Sequence, residues 1–535
     1  MWQRLSDHIQ KRPAILVAAI LVLLPFALLI NLGLMPLMSD EPTRAIVTLE
    51  MILSGNYITP TINGDFYYNK PPLFNWILAG FIKITGSMDD VVFRIPTILS
   101  LLGLGLVLYF FTKKSLGKFN AFILAMMYVT SGRILFWDSF QGLIDVTYSL
   151  VTFGSFVVFY HFSGKRNYLA MFVFTYLLTA AGYMMKGLPS LAFQGISLMA
   201  WLWYEKSFKK LFTWQHLAGI GVLVVVLGSY YLAYLQNNSL ENVFKTLFSE
   251  SNRLNEEEGR FINWLLHLFS FPPELMYNFA PWPLLLLLLF NKNIREKAFK
   301  DRLSQFSLVI FAANIPIYWL SANMRARYLF MLVPFIFFLG LKALMESETS
   351  ETKIRKVIIR ILQVSAFLGA LSLLIYFFWE KTSGMAGIFI IIPLLLAISL
   401  SAAALSLKIP RQTIAFVIIV LLSIRIGFNL FNQPARYTVK PEVRLRIDEI
   451  KVARMTLGSD LFILGKTPFD HDASFNMSKE RMEIVSRAKK LADGPAFYMS
   501  DEKSLRAFKH ELGDYEMVYP FFIKHKTTKL YLIKK

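Results

Sequence analysis

Thirteen stretches of this chain are apolar for roughly the length of a bilayer crossing, which takes about 20 residues in an α-helix. They run at 14–35, 91–112, 119–137, 142–161, 168–184, 187–204, 215–235, 274–290, 303–320, 328–345, 357–379, 385–407 and 412–431. Inside lipid a backbone must satisfy its polar groups within its own segment, so apolar runs of this kind become helices. The sequence therefore predicts an all-α polytopic membrane protein. Composition agrees, with 55% hydrophobic and 17% charged residues, against about a quarter charged in soluble domains. The net charge of +20 does not point to nucleic acid, because Lys and Arg sit in short clusters between apolar runs, as topogenic loops do. The absence of Cys excludes disulfides, thiolate metal sites and Cys nucleophiles, and leaves the compartment open. Lys11-Arg12 ahead of an apolar run has the look of a signal peptide. The run is too long and no small-x-small site follows, so a retained first helix is expected.

The basic clusters set the topology. Segment Pro72–Thr85 (PLFNWILAGFIKIT) is a fourteenth apolar candidate. Leaving it out puts Arg4/Lys11/Arg12, Lys113/Lys114/Lys118, Lys165/Arg166, Lys206/Lys209/Lys210, Lys292/Arg295/Lys297, Lys353/Arg355/Lys356 and Lys408/Arg411 on one side. Counting it in flips every cluster after the first outward, against the positive-inside rule. It is also short, so it reads as a surface helix over 72–85. Residues 43–54 read likewise, with Ala45, Ile46, Leu49, Ile52 and Leu53 opposite Arg44, Thr48 and Glu50. The first outer loop, 36–90, thus carries two surface helices. A second outer loop, 236–271, holds the acidic run Glu256–Glu258 and a helix around Phe261–Phe269. An odd number of crossings leaves the N-terminus cytoplasmic and places residues 432–535 outside. There strand-like Leu461–Leu464, Ala496–Met499 and Leu530–Ile533 alternate with helical stretches such as Lys479–Leu491, predicting a small periplasmic α/β domain after a transmembrane domain of residues 1–431.

Charged residues beside hydrocarbon are functional candidates. Asp40-Glu41 follows the first span directly; one of them, or Ser39, suits the N-cap of the 43–54 helix, and a catalytic role is the alternative. Lys70-Pro71-Pro72 opens the second surface helix, with Lys70 either snorkelling or gripping phosphate. Asp145 stands at the outer start of span four and Lys186 at the outer end of span five, so simple pairing of the two is one reading. Asp138, also outer, reads as better solvated and less committed. Arg325, Arg327 and Tyr328 precede span ten on the side where cations are rare, and want an anion; the Glu256–Glu258 run would also serve. Acids at 40, 41 and 145 with bases at 70, 186, 325 and 327 fit group transfer from a membrane-bound phosphate ester: a carboxylate as general base, cations on the phosphate.

The same residues carry a resemblance. Asp40-Glu41, Glu50-Met51, Ser54-Gly55-Asn56-Tyr57, Pro60, Lys70-Pro71-Pro72, Arg94-Ile95-Pro96, Leu143-Ile144-Asp145, Lys186-Gly187, Glu250-x-Asn252-Arg253, Pro281-Trp282 and Arg327-Tyr328 with Pro334 are spaced, over residues 13–345, as in a known family. The chain resembles the lipid-linked-sugar glycosyltransferases of the GT-C fold, in the bacterial branch of the aminoarabinose transferase that modifies lipid A and the protein O-mannosyltransferases. The resemblance implies a polyprenyl (undecaprenyl) phosphate sugar donor, an active site on the outer face of the inner membrane, and inversion at the anomeric carbon. It assigns Asp40, Glu41 and Asp145 to catalysis. Lys70, Lys186, Arg327, Arg44, Arg325 and Tyr328 go to the donor phosphate, and Glu250, Asn252 and Arg253 to substrate binding. The expected partners are the donor, a lipid, glycan or protein acceptor, and membrane lipids. No metal or other cofactor is required, since a lipid monophosphate is already a fair leaving group and no His/Asp spacing marks a metal site. Two rivals remain at this stage. A transporter of the lipid-linked sugar would grip the headgroup without making bonds and would place acids at mid-span; a scaffold of an envelope complex would need none of these residues.

Overall fold

The computed structural model describes residues 8–252, 260–321, 324–349, 352–523 and 529–535. Helices cover most of each of the thirteen apolar segments. Among the described residues seven helices are long and apolar enough to cross a membrane, and Ala14–Leu29 and Leu73–Thr85 are shorter apolar helices. The protein is a multi-pass, predominantly helical membrane protein with a small strand sheet near its C-terminus. Helix Asp90–Val129 holds two expected spans, separated by a break at Gly117 (φ 77°, ψ 163°), a conformation open to glycine alone. The break falls inside the Lys113/Lys114/Lys118 cluster, where the chain must turn back. One expectation fails between 261 and 290. The sequence predicts a surface helix around Phe261–Phe269 followed by a span over 274–290. Instead Arg260–Asn278 runs through Pro272-Pro273, and Trp282–Phe290 is a 3-10 helix.

The chain divides into two compact units. The first comprises residues 1–32, 97–228 and 248–435. Its helices approach closely where side chains are small, the usual device in lipid, where apolar surface alone gives little drive to associate. At Gly219 an added Cβ would fall 2.7–2.8 Å from Tyr176 and Phe172 of helix Tyr168–Lys186. The other side of helix Trp214–Leu235 stays exposed at Leu217, Val224 and Val225, as a lipid-facing surface would.

The second unit is built from three pieces: 33–96, 229–247 and 436–535. Residues 33–96 therefore cluster with the C-terminal residues. Helices Glu41–Ser54 and Leu73–Thr85 form where expected, each closed by a left-handed glycine, Gly55 and Gly86. The first is corrected as a surface helix: Arg44, Thr48 and Glu50, expected on an exposed polar face, are buried along with its apolar residues. Between the two helices lies the hairpin of β1 (Thr61–Ile62) and β2 (Asp65–Phe66), turned by Asn63-Gly64, both at positive φ. The C-terminal piece is a five-stranded mixed sheet of β3 (Asp460–Leu464), β4 (Ser486–Ala488), β5 (Ala496–Ser500), β6 (Glu516–Phe522) and β7 (Lys529–Lys534), in the order β4-β3-β5-β7-β6. Strands β4 and β5 flank β3 in parallel; β7 pairs antiparallel with β5 and β6. The helix expected over Lys479–Leu491 is corrected. Helix His471–Arg481 ends at Met482, which has φ 54°, and the chain then enters β4. Pairing with β3 outweighs the helix-forming composition there.

Candidate active site

In the first unit, charge gathers at Asp145. Leu143 is extended (φ −91°, ψ 139°) and starts helix Ile144–Gly164, so Asp145 falls in the first turn, where an anion meets the positive end of the helix dipole. Lys186 is the last residue of helix Tyr168–Lys186, where a cation is favoured in turn. Gly187 at φ 82°, ψ −140° lets the chain leave at once. Lys186 Nζ donates to Asp145 Oδ1 at 2.5 Å, and Arg327 Nε lies 3.1 Å from Asp145 Oδ2. Arg327 comes from the 3-10 turn Ala326–Leu329 and is 4% exposed, Asp145 3%. Lys186 also sits 4.0 Å from the centre of the Tyr328 ring and 5.2 Å from that of Tyr148. Residues at 145, 186 and 327 thus converge with an excess of positive charge, an arrangement suited to an anionic group.

Asp138 does not match the solvated acid expected from its sequence position. It is fully buried and ion-paired to Arg133 at 2.8 Å. Burial pushes its carboxyl up to about 6; the Arg133 guanidinium pulls it down and the charge of Asp145 pushes it up.

In the second unit, Asp40 and Glu41 take different places. Asp40 is exposed at the N-cap of helix Glu41–Ser54 and makes no side-chain cap bond to it. Glu41 is 1% exposed. Arg94 grips both its oxygens, Nε to Oε1 at 2.8 Å and Nη2 to Oε2 at 3.0 Å, and Oε2 also accepts from Met38 N. Arg94 further donates to Met35 O and Pro36 O. The catalytic expectation for Glu41 is therefore corrected: a buried bidentate pair fixes the chain ahead of the helix and leaves that carboxylate no approach for a substrate. Glu50 is structural in the same sense. It accepts from Thr61 Oγ1, Asn63 N and Gly64 N, holding the β-hairpin turn, and burial raises its carboxyl above the ordinary range.

Arg44 is buried, donates to Tyr67 Oη and lies 5.2 Å from the centre of that ring. Lys70 is half-buried in a small cleft shared with Tyr67, Tyr68, Tyr230, Tyr231 and Tyr234. The tyrosines are oriented through Asn238, which donates to Tyr68 Oη and Tyr234 Oη. Arg325 is exposed at the head of its 3-10 turn. Glu250 and Asn252 fall on helix Glu241–Asn252, but their side chains lie outside the described residues, as do Arg253 and the acidic run 256–258. Sequence reasoning passed over Tyr148 and the Tyr230-Tyr231-x-x-Tyr234 group. The latter had a signal: aromatics at helical spacing where an apolar segment ends, as in an interfacial belt.

With this geometry in hand, the likeness to known proteins is specific. ArnT from Cupriavidus metallidurans, solved bound to undecaprenyl phosphate, superposes with a TM-score of 0.69 at 16% identity, covering 98% of both chains. Its apo form gives 0.67 at 17% identity, again with 98% of both chains. The fold is the GT-C fold. The family model for dolichyl-phosphate-mannose-protein mannosyltransferase matches residues 69–231 of this chain. Among curated proteins, the undecaprenyl phosphate-alpha-4-amino-4-deoxy-L-arabinose arabinosyl transferase of Edwardsiella ictaluri (strain 93-146) is 24% identical over 192 residues, 35% of this chain and 34% of that protein. An uncharacterized protein of Aquifex aeolicus (strain VF5) is 26% identical over 154 residues, 28% of this chain and 31% of that one. The chain spans about a third of the length of these curated relatives.

Proposed function

We propose that this GT-C protein is an inverting glycosyltransferase of the bacterial inner membrane, moving a sugar from a polyprenyl phosphate to an acceptor in the envelope, whether lipid A, a glycan or a protein. The observation that carries the reading is the buried convergence of Lys186 and Arg327 on Asp145. Two cations drawn from segments 141 residues apart in sequence repel each other in a low-dielectric setting, and Asp145 between them offsets part of that, with Asp138 close enough to act on Arg327 as well. An anionic phosphate completes the balance. The fold likeness to a protein solved with undecaprenyl phosphate supports the choice of anion.

In the proposed reaction the exposed carboxylate of Asp40 takes the proton of an acceptor hydroxyl while its oxygen attacks the anomeric carbon. The bond from that carbon to the phosphate oxygen breaks, and polyprenyl phosphate leaves with the electron pair. Lys186 and Arg327 neutralise the charge growing on the phosphate. Asp145 acts as a positioning residue, holding both cations at fixed distance. The transmembrane domain, 1–431, carries this chemistry, the N-terminus is cytoplasmic, and residues 432–535 are periplasmic.

Purified protein in lipid nanodiscs, supplied with synthetic polyprenyl-phosphate sugars and extracted envelope acceptors, tests the reading by mass spectrometry of the products. Asp40→Asn should lower turnover by about 10²–10⁴, the scale of a lost general base, with donor binding retained. Lys186→Met should weaken donor binding or turnover by about 1.5–3 kcal/mol, as loss of a charge-assisted hydrogen bond does. Near-normal turnover in Asp40→Asn would overturn the catalytic assignment.

A further inference from the structure

Asp138 is a buried acid that the proposed reaction leaves unused. It opens the 3-10 turn Asp138–Phe140, directly after helix Gly132–Phe136 and Trp137. Its side chain is fully buried, and Arg133 Nε, from a side chain 26% exposed, lies 2.8 Å from Oδ2. Among the described residues neither carboxylate oxygen accepts a hydrogen bond beyond that ion pair. Tyr128 Oη, near the end of helix Asp90–Val129, is likewise buried without a hydrogen bond, and the charge of Asp138 reaches it. A carboxylate so poorly solvated is costly to keep ionised, and apolar residues of the same volume often stabilise better than such a pair. Stability alone therefore does not account for an acid here.

Other charged groups face it from further elements. Asp145 adds a like charge from helix Ile144–Gly164, and Arg327 an opposite one from turn Ala326–Leu329. Lys186 joins through Asp145, and Arg425 of helix Thr413–Gly427 donates to Leu135 O in the segment before the turn. Around the phosphate site Arg133, Lys186 and Arg327 thus stand against Asp138 and Asp145. Their excess of one positive charge becomes two when Asp138 carries a proton. Given the phosphate site proposed above, we infer that Asp138 is a positioning residue acting through Arg327: ionised, it loosens the hold of Arg327 and Lys186 on the polyprenyl phosphate, and protonated, it tightens that hold. Burial, which raises the carboxyl to about 6, brings both charge states within reach near neutral pH. The ligand's own charge gives the device a use. A sugar-linked polyprenyl phosphate is a diester with one negative charge, whereas the polyprenyl phosphate that leaves is a monoester with up to two. Cations matched to the donor hold the product more tightly still, and an ionised Asp138 lets it go. By linkage, phosphate binding must in turn draw protons onto Asp138.

The test titrates the full chain in neutral detergent with farnesyl methyl phosphate, a diester whose single charge stays fixed between about pH 5 and pH 8. Calorimetry in two buffers of different ionisation enthalpy reads affinity and counts the protons taken up. The native protein should bind about threefold to tenfold more tightly at the acid end, the scale of one charge acting through protein. Between the two ends its binding should take up protons. Asp138→Asn, close in volume, should bind at every pH as tightly as the native protein does at the acid end, and without that uptake. In turnover it should lower donor KM and kcat together, because product release slows. Arg133→Gln leaves Asp138 without its counter-ion, so the fall in affinity should move to higher pH. Melting temperatures check the fold of both variants, and Arg133, at the edge of the buried pair, carries the test if Asp138→Asn does not fold. Weaker binding by folded Asp138→Asn at every pH would make the acid structural, and a pH dependence unchanged in the folded variants would assign it to other groups. Either result overturns the role of Asp138 while leaving the phosphate site in place. No binding by the native protein at any pH would overturn the phosphate site, and the role of Asp138 with it.

Discussion

Asp40 and Glu41 are adjacent carboxylates with opposite fates, and the cause lies 53 residues away in Arg94. Nothing in the local sequence marks which acid a distant guanidinium claims, so the pair was legible as important and illegible as to role. Glu41→Gln should leave the buried Arg94 charge uncompensated and cost about 3–5 kcal/mol, read as a lower melting temperature in detergent. Its turnover per folded molecule should stay near normal, which separates a structural acid from a catalytic one. Glu449 adds a pH dependence. It is 1% exposed on helix Pro441–Met455, accepts from Asn476 Nδ2 at 2.7 Å, and has the charge of Asp472 beside it. Arg446, which lowers it, is itself bound to Asp90 at 2.5 and 2.9 Å. Burial first and Asp472 second push Glu449 up to about 8 from an ordinary 4.5. The folded chain then keeps a proton that the unfolded chain has released, so this contribution to stability is full below about pH 4.5 and is lost as pH rises through about 8. Melting temperature should therefore fall over that window in the native protein. Glu449→Gln should flatten the fall; an unchanged slope would assign it to other groups.

Elements were the most legible level. Apolar runs and 3.6-residue periodicity placed helices 43–54 and 72–85 within two residues of Glu41–Ser54 and Leu73–Thr85, because helix periodicity is written in neighbouring residues. Where distant partners decide, the reading failed. Strand β4 forms inside a segment of helix-forming composition because β3 supplies its hydrogen bonds. Helix Arg260–Asn278 passes through two prolines that would end an isolated helix. The break at Gly117 lies between these cases: its basic surroundings marked a turn, but its backbone conformation was not visible. An added Cβ at Gly117 would meet nothing within 4 Å, so Gly117→Ala isolates the backbone term. It should destabilise by about 1–3 kcal/mol. Gly228→Ala, equally unobstructed but within helix Trp214–Leu235, should stabilise by up to about 1 kcal/mol. Thermal unfolding of the two variants side by side checks the contrast.

For the whole molecule, the expected topology puts residues 36–90 and the C-terminal domain on the outer side together. A chain without native Cys suits single-cysteine labelling in intact cells. Cysteines at Lys83, Ser87 and Lys503 should all react with an impermeant reagent from outside, whereas one at Lys353 should react only after lysis. Labelling of Lys83 or Ser87 from the cytoplasm alone would reverse the reading of Pro72–Thr85. What no sequence pattern announced is that 33–96 and 436–535 belong to one compact unit. The tie is specific: Asn63 at the hairpin turn donates to Val485 O, accepts from Ser474 Oγ, and its carbonyl accepts from Arg487 N. A ribosome making about 5–20 residues per second needs roughly 20–70 s to travel from the end of the first outer loop to the piece that completes it. Throughout that interval the segment bearing Asp40 and Lys70 stands without its partner. Assembly of this unit is thus timed by the translation of residues 436–535, and a ribosome that stalls at residue 435 leaves residues 33–96 without the piece that completes their fold.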